Sequence, residues 1–369
     1  MSVSTATTVT SITVAIVSFV VFKMLFSRKD HFPIDGLTAI VTGGSQGLGL
    51  SLAQQLAAKG ANVVIVAQDK GKLERAVKSI QACAKRPAQQ SFLDLSFDLR
   101  SPDSAPEILK QVTSWNHGHP PDLIFCCAGN CHPGFFADVS IETLRGQMDT
   151  IYWSAAYMAH AALNLWKTPA SSYGANKTSL PSTSTSASSP PTRHIVFTAS
   201  TLAFFPIAGY SPYSPAKAAM RAMVDGLNEE VAVYNGARQS STGVPAPDAD
   251  IAVHILFPMG IVTPGLDNEN SIKPELTVML EKDDKPQQPD EVAKILLDRL
   301  KAGDYMITTM FLGHVMRGLG MGGSVRKNIT DVFWNWLGSL VILFVAPDFV
   351  AKCRQWGTEK GMNSTRPAR

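Results

Sequence analysis

Cysteine is scarce in this chain, with five in 369 residues, at Cys83, Cys126, Cys127, Cys131 and Cys353. An odd, uneven set argues against a disulfide framework and fits a reducing compartment. Cys126, Cys127, Cys131 and His132 lie close enough to raise the question of a metal. Adjacent strand residues point to opposite faces, so Cys126 and Cys127 do not readily share an ion; buried apolar thiols are the better reading, and no metal is expected. Charge is thin as well: Asp, Glu, Lys and Arg make up 17% of the chain, with a formal balance of +3. No run of lysine and arginine follows one face, which gives no support for nucleic-acid binding.

The thinnest charge of all is at the start. The first 22 residues carry no charged side chain, Ile12–Phe22 is almost wholly apolar, and Lys23, Arg28 and Lys29 follow at once. A helix over Val3–Phe22 would span roughly 30 Å, about one hydrocarbon core. A cleaved signal peptide would show positive charge before the apolar run and a small-x-small site after it, and neither is present. Residues 1–30 are therefore expected to be a membrane anchor with its basic flank. The positive-inside rule then puts everything after residue 23 in the cytosol. A second uncharged stretch, Val332–Ala346, is rich in Trp, Leu, Ile and Phe. It is short for a span and reads as a re-entrant, interfacial or buried helix.

From Ile34 onward short β-branched runs alternate with amphipathic stretches. Strands are expected at Leu37–Val41, Val63–Val66, Ser91–Phe97, Leu123–Cys127, His194–Ala199 and Ile251–Phe257, with helices such as Leu50–Lys59, Lys72–Lys85 and Leu144–Trp166 between them. This pattern predicts an α/β fold, a doubly wound parallel sheet of the Rossmann type, with its ligand crevice at the carboxyl ends of the strands. Thr168–Arg193 and Ala237–Asp250 are crowded with Ser, Thr, Pro and other residues that bury little apolar surface, so both are expected to be mobile surface loops. The expected organisation is an anchor over 1–30, a reductase domain over 31–270 with a disordered insert at 168–193, and an apolar C-terminal extension over 271–369 containing the helix 332–346. Asn176-Lys177-Thr178 and Asn328-Ile329-Thr330 match the glycosylation acceptor pattern, but facing the cytosol they would stay unmodified.

The first strand runs into Thr42-Gly43-Gly44-Ser45-Gln46-Gly47-Leu48-Gly49. Gly43, Gly47 and Gly49 let backbone approach a pyrophosphate, while the following helix N-terminus offers amides and the positive end of its dipole. At the end of the second strand, where an acidic side chain would favour NAD, stands the neutral Gln68. Lys70 and Lys72 follow and can supply charge to a 2′-phosphate, so NADPH is the favoured cofactor. Asp98 is suitably placed for the adenine edge.

Downstream, Ser200 precedes Tyr213 by thirteen residues, and Lys217 lies four beyond it. Ketone reduction needs a hydride donor and a proton donor at the developing alkoxide. Tyr213 can give the proton, with Lys217 one helical turn on expected to pull its pKa down from about 10. Ser200 would orient the substrate oxygen.

These residues resemble the short-chain dehydrogenase/reductase family over about Ile34 to Asn270. Phe257-Pro258, Thr263-Pro264-Gly265, Glu269-Asn270, Lys273-Pro274-Glu275 and Ile307-Thr308-Thr309 are similar to stretches of the fungal 3-ketodihydrosphingosine reductases. That resemblance implies NADPH-dependent reduction of 3-ketosphinganine, a long-chain keto-amine lipid, to sphinganine at the cytosolic face of the endoplasmic reticulum membrane. It implies a phosphate cradle of Gly43, Ser45, Gln46 and Gly47, further cofactor contacts at Lys72, Asp98 and Thr263, and a catalytic set of Ser200, Tyr213 and Lys217. Three departures stand out. Gln68 replaces an arginine that reads the 2′-phosphate, and Cys126-Cys127-Ala128-Gly129 replaces Asn-Asn-Ala-Gly. Ile151 holds the place of the tetrad asparagine, so proton resupply would pass through Asp149, Thr150, a backbone carbonyl or another water path, giving a slow but competent reductase. Trp334, Trp336 and Phe344 would sit at the membrane interface or, alternatively, pack on the core or in a homodimer. A membrane-anchored retinol or hydroxysteroid dehydrogenase and a cofactor-binding scaffold without turnover are the competing readings.

Overall fold

A computed structural model of the chain describes residues 30–168, 190–241 and 245–361. The expected anchor, the Asn176 acceptor, nearly all of the 168–193 insert and residues 242–244 of the Ala237–Asp250 stretch lie outside the described residues. Seven strands form one parallel sheet in the order β3-β2-β1-β4-β5-β6-β7. They are β1 Thr38–Thr42, β2 Asn62–Ala67, β3 Phe92–Ser96, β4 Leu123–Cys126, β5 Arg193–Thr198, β6 Ile251–Phe257 and β7 Met306–Thr308. The first six fall on the expected runs. β7 is three residues long, too short to leave a pattern, and lies inside the stretch read as a C-terminal extension.

Side-chain alternation along the strands divides the core into two layers. Ile40, Val64, Val66, Ile124 and Ile195 pack on one face of the sheet, and Ala39, Val41, Val63, Ile65 and Phe125 on the other. Each fully buried Val, Ile or Phe contributes about 1.5–3 kcal/mol, so burying both faces is what makes the near-continuous apolar strands worthwhile. Helices cover the two faces: α1 Gly47–Ala58, α2 Lys70–Ala82, α3 Ser104–Trp115, α4 Ile141–Gln147, α5 Ser154–Trp166 and α6 Ser214–Arg238. Trp166, closing α5, is fully buried and donates its indole N–H to Pro121 O at 3.0 Å. Cys126 packs in one layer and Cys127 against the other, the opposite-face placement that prevents them from sharing a ligand.

The stretch expected as one helix over Leu144–Trp166 is broken. A π-helical turn, Met148–Trp153, joins α4 to α5 and contains Ile151. Such turns are rare and are frequent at functional sites.

After β6 come α7 Pro264–Ile272, α8 Glu275–Leu280 and α9 Pro289–Lys301, then β7, α10 Phe311–Gly320 and α11 Ile329–Lys360. The last helix has 32 residues rather than the expected 332–346. Its sequence hid the length because Pro347 and the charged Asp348, Lys352 and Arg354 look like a terminus. The helix passes through Pro347 and is supported beyond it by the Asp348–Lys352 pair at 2.6 Å. Asn328, of the second acceptor triplet, caps this helix by accepting from Thr330 N at 3.0 Å.

Helix α10 is held tightly on α11. The buried Arg317–Asp331 pair at 2.6 Å and the Asn335 Nδ2–Gly318 O hydrogen bond at 2.8 Å bridge them. A Cβ on Gly318 would stand 2.3 Å from Trp334 O, and one on Gly338 would stand 3.0 Å from Val315 O. Only glycines allow the two backbones to come this close.

Candidate active site

One cavity of about 1090 Å³ opens at the carboxyl ends of the strands, and of the site residues expected from the sequence all but Lys70 line it. Gly43, Ser45, Gln46, Gly47 and Gly49 form one wall, Gln68, Lys72 and Asp98 the far end, and Ser200, Tyr213, Lys217 and Thr263 the floor beside them.

The glycine turn fits a pyrophosphate. Gly43 and Gly47 have φ of 68° and 56°, where L side chains are strained. A Cβ on Gly43 would sit 2.9 Å from the Ala128 backbone, one on Gly47 2.8 Å from Thr263 Cγ2, and one on Gly49 2.3 Å from Gly43 O. No side chain caps the N-terminus of α1, and its first turn holds no acidic residue, so its amides face the cavity uncompensated. Thr263 is fixed opposite by capping α7, its Oγ1 accepting from Leu266 N at 3.2 Å.

Two details of the nucleotide end were not foreseen. Lys70, expected to supply charge, does not line the cavity, whereas Lys72 does and donates to Gln46 Oε1 at 3.2 Å. The missed cation is Arg100, two residues beyond Asp98, which also lines the cavity. It grips Asp98 through a two-pronged pair at 2.6–3.0 Å, and these hydrogen bonds hold the Asp98 carboxyl down at about 2. Gln68 lines the same end of the cavity, so the cation there comes from the loop after β3 rather than from the end of β2.

At the chemical end, Ser200 is buried at the start of a 3₁₀ turn, Thr201–Ala203, its Oγ accepting from Leu202 N at 3.2 Å. Tyr213 stands at the residue just before α6, and Lys217 is buried one turn along. The expected acidification of Tyr213 by Lys217 is not what the geometry gives. The Lys217 ammonium donates to Thr198 O at 2.7 Å and lies over the Tyr213 ring, 5.5 Å from its centroid. Burial lowers Lys217 to about 8, partly offset by Cys131 and Cys127. Burial pushes the Tyr213 phenol well up, helped by Cys131 and Glu269, while the nearby Ser200 hydroxyl works the other way. Ile151 is fully buried, and the space beside Gly129 is 3.9 Å from both its Cγ1 and Lys217 Nζ. A hydrocarbon side chain and the ammonium thus both approach Gly129, while Thr150 of the same turn and Ser154, the first residue of α5, line the cavity.

The cavity does not stop at the tyrosine. It continues under α10 and α11, lined by Val315, Met316, Leu319, Ile342, Val345 and Phe349. On α11 those cavity positions recur at helical spacing, and the other side exposes Trp336 (59%), Leu343 (64%) and Phe344 (77%). Among the described residues, α11 is the single helix long and apolar enough to cross a membrane.

Residues 37–242 match the model of the short chain dehydrogenase family. The chain belongs to that family. Among its relatives, the 3-ketodihydrosphingosine reductase ksrA of Aspergillus fumigatus is 48% identical over 359 residues, covering 96% of this chain and 95% of that protein. The 3-ketodihydrosphingosine reductase gsl-3 of Neurospora crassa is 39% identical, covering 93% of this chain and 88% of that one. The fold is also that of L-sorbose reductase from Gluconobacter frateurii, solved with NADPH and L-sorbose, at 19% identity and a TM-score of 0.56, over 77% of this chain and 98% of that one.

Proposed function

We propose that this protein reduces 3-ketosphinganine to sphinganine with NADPH, working on a membrane-borne lipid at the cytosolic face of the endoplasmic reticulum. The observation that carries the reading is the continuity of the cavity, from the glycine turn past Ser200 and Tyr213 into an apolar channel beneath α10 and α11. A polar ketone end and a long hydrocarbon tail need those two environments side by side. The names of the Aspergillus and Neurospora relatives, matched over nearly the whole chain, point to the same substrate.

Gly43, Ser45, Gln46 and Gly47 would hold the pyrophosphate, with Thr263 facing them and Lys72 and Arg100 at the 2′-phosphate end. NADPH held there supplies the hydride. Ser200 Oγ hydrogen-bonds the ketone oxygen and points it at the Tyr213 hydroxyl, which gives its proton as the alkoxide forms. In the reducing direction the phenol must carry its proton beforehand, and burial keeps it loaded. Lys217, with its ammonium between the Tyr213 ring and Thr198 O, supplies positive charge under the tyrosinate left behind. Thr150 of the π-helical turn and Ser154 just after it, rather than Ile151, are the groups that can pass a proton back.

The exposed apolar side of α11 would lie in the headgroup region, so that a lipid enters the channel without crossing water. Incubating the full-length protein with NADPH and 3-ketosphinganine should give sphinganine, read by mass spectrometry. Faster turnover of a retinaldehyde or a ketosteroid would replace this reading, and NADPH binding without turnover of any ketone would leave a scaffold.

A further inference from the structure

A knot of charge sits in the cavity beside Tyr213, outside the catalytic set. Lys273, 5% exposed, reaches Glu269 Oε1 at 3.0 Å and Glu281 Oε2 at 2.6 Å. Tyr210 donates its hydroxyl to Glu269, and its ring lies 6.1 Å from that of Tyr213. The parts come from three places and are tied together. Thr277 Oγ1 of α8 donates to Ala208 O at 3.0 Å, and Gly134 N donates to Gly209 O at 2.7 Å. Glu269, Lys273, Glu281 and Tyr210 all line the cavity that holds Ser200 and Tyr213.

The charges do not balance. One ammonium faces two carboxylates whose side chains are only 14% and 18% exposed. Burial works to lower Lys273, yet the two carboxylates outweigh it and hold the lysine above its usual value. A half-enclosed surplus carboxylate is costly unless a cation meets it. That surplus acts on the catalytic phenol, since Glu269 is among the groups pushing Tyr213 up. In a 2-amino-3-ketone, the nitrogen sits on the carbon next to the carbonyl. A substrate whose ketone meets Tyr213 therefore carries its ammonium into the space beside it.

We propose that Glu269, with Glu281 behind it across Lys273, binds the substrate ammonium and selects amino-ketones over neutral ketones of equal chain length. This rests on the reductase reading above and names what that site recognises beyond a tail and a carbonyl. The arriving ammonium completes the charge balance that Lys273 leaves unfinished, and it cancels the Glu269 field at the phenol as the reaction begins. Glu269 is a specificity residue here; proton donation stays with Tyr213.

The test measures kcat/KM of the full-length protein in detergent micelles on 3-ketosphinganine and on the same long-chain hydroxyketone without the amine. Wild type should favour the amine substrate by about 30-fold or more, mostly through KM. Glu269→Gln keeps the size and the acceptor for Tyr210, and should bring the ratio close to one. Glu281→Gln, which removes the surplus charge from the other side of Lys273, should lower the same ratio. Equal losses on both ketones in the variants would mean a structural ion-pair network and overturn the proposal. A wild type that reduces both ketones equally well would overturn it while leaving the reductase reading intact. A wild type that reduces neither would sink both.

Discussion

The Gly43–Gly49 turn draws its cradle from seven consecutive residues, whereas the opposite end of the same cleft is assembled from α7, α8, α10 and α11, spread over residues 264–360. The first is rigid backbone geometry: positive φ, close approach and bare amides. The second is side-chain geometry, resting on a glycine-tight helix pair and on the ion pairs that Lys273, just after α7, makes with Glu269 of α7 and Glu281 just after α8. A cofactor shared by a family needs the first kind of site, and a substrate peculiar to one member needs the second. Changes at the two ends should therefore fail differently.

The largest effect should come from the nucleotide end. Gly43→Val places branched carbon against the Ala128 backbone at a φ of 68°. The strain of about 1–3 kcal/mol and the blocked pyrophosphate should abolish NADPH binding and with it all turnover, measured by fluorescence titration. At the lipid end, Met316→Trp narrows the channel under α10. It should raise KM for the long-chain ketone about tenfold while a short, water-soluble ketone keeps its rate. Equal losses on both would break the division. Arg100→Ala should cost about tenfold in NADPH affinity and leave NADH unchanged, sharpening which residue reads the 2′-phosphate in the absence of an arginine at position 68.

The smallest effect concerns the π-helical turn. Lys217, lowered by burial to about 8, is charged below that pH and neutral above it. The reduction rate should therefore fall as pH climbs through about 8. Ile151→Asn should raise the plateau rate by about two- to tenfold by restoring a polar partner beside the lysine, and lower the thermal midpoint because the amide enters a fully buried position. An unchanged pH–rate profile would show that Ile151 does not limit proton resupply.

Much of this division could be read before any coordinates. Strand runs, the glycine turn and the Ser200, Tyr213 and Lys217 spacing carry local signals, and all of them meet in one cavity. Arg100 escaped because its place in the cavity depends on β3 lying beside β2, a pairing no local pattern announces. The length of α11 escaped because Pro347 reads as a stop, while tertiary packing carries the helix through. The supposed acidification of Tyr213 rested on sequence spacing, and spacing does not say that the Lys217 proton is directed at Thr198 O. Glu269 and Lys273 stood in the sequence as a resemblance, Glu281 carried no signal there, and the three became a charge cluster only when α7 and α8 folded over Tyr210.

The most direct test of the central claim is NADPH consumption with 3-ketosphinganine by wild type and Tyr213→Phe, each first shown to bind NADPH. The account predicts steady oxidation and sphinganine from wild type, and a rate lower by about 10²–10⁴-fold in the variant, with cofactor affinity unchanged. A Tyr213→Phe protein that turns over like wild type would contradict it.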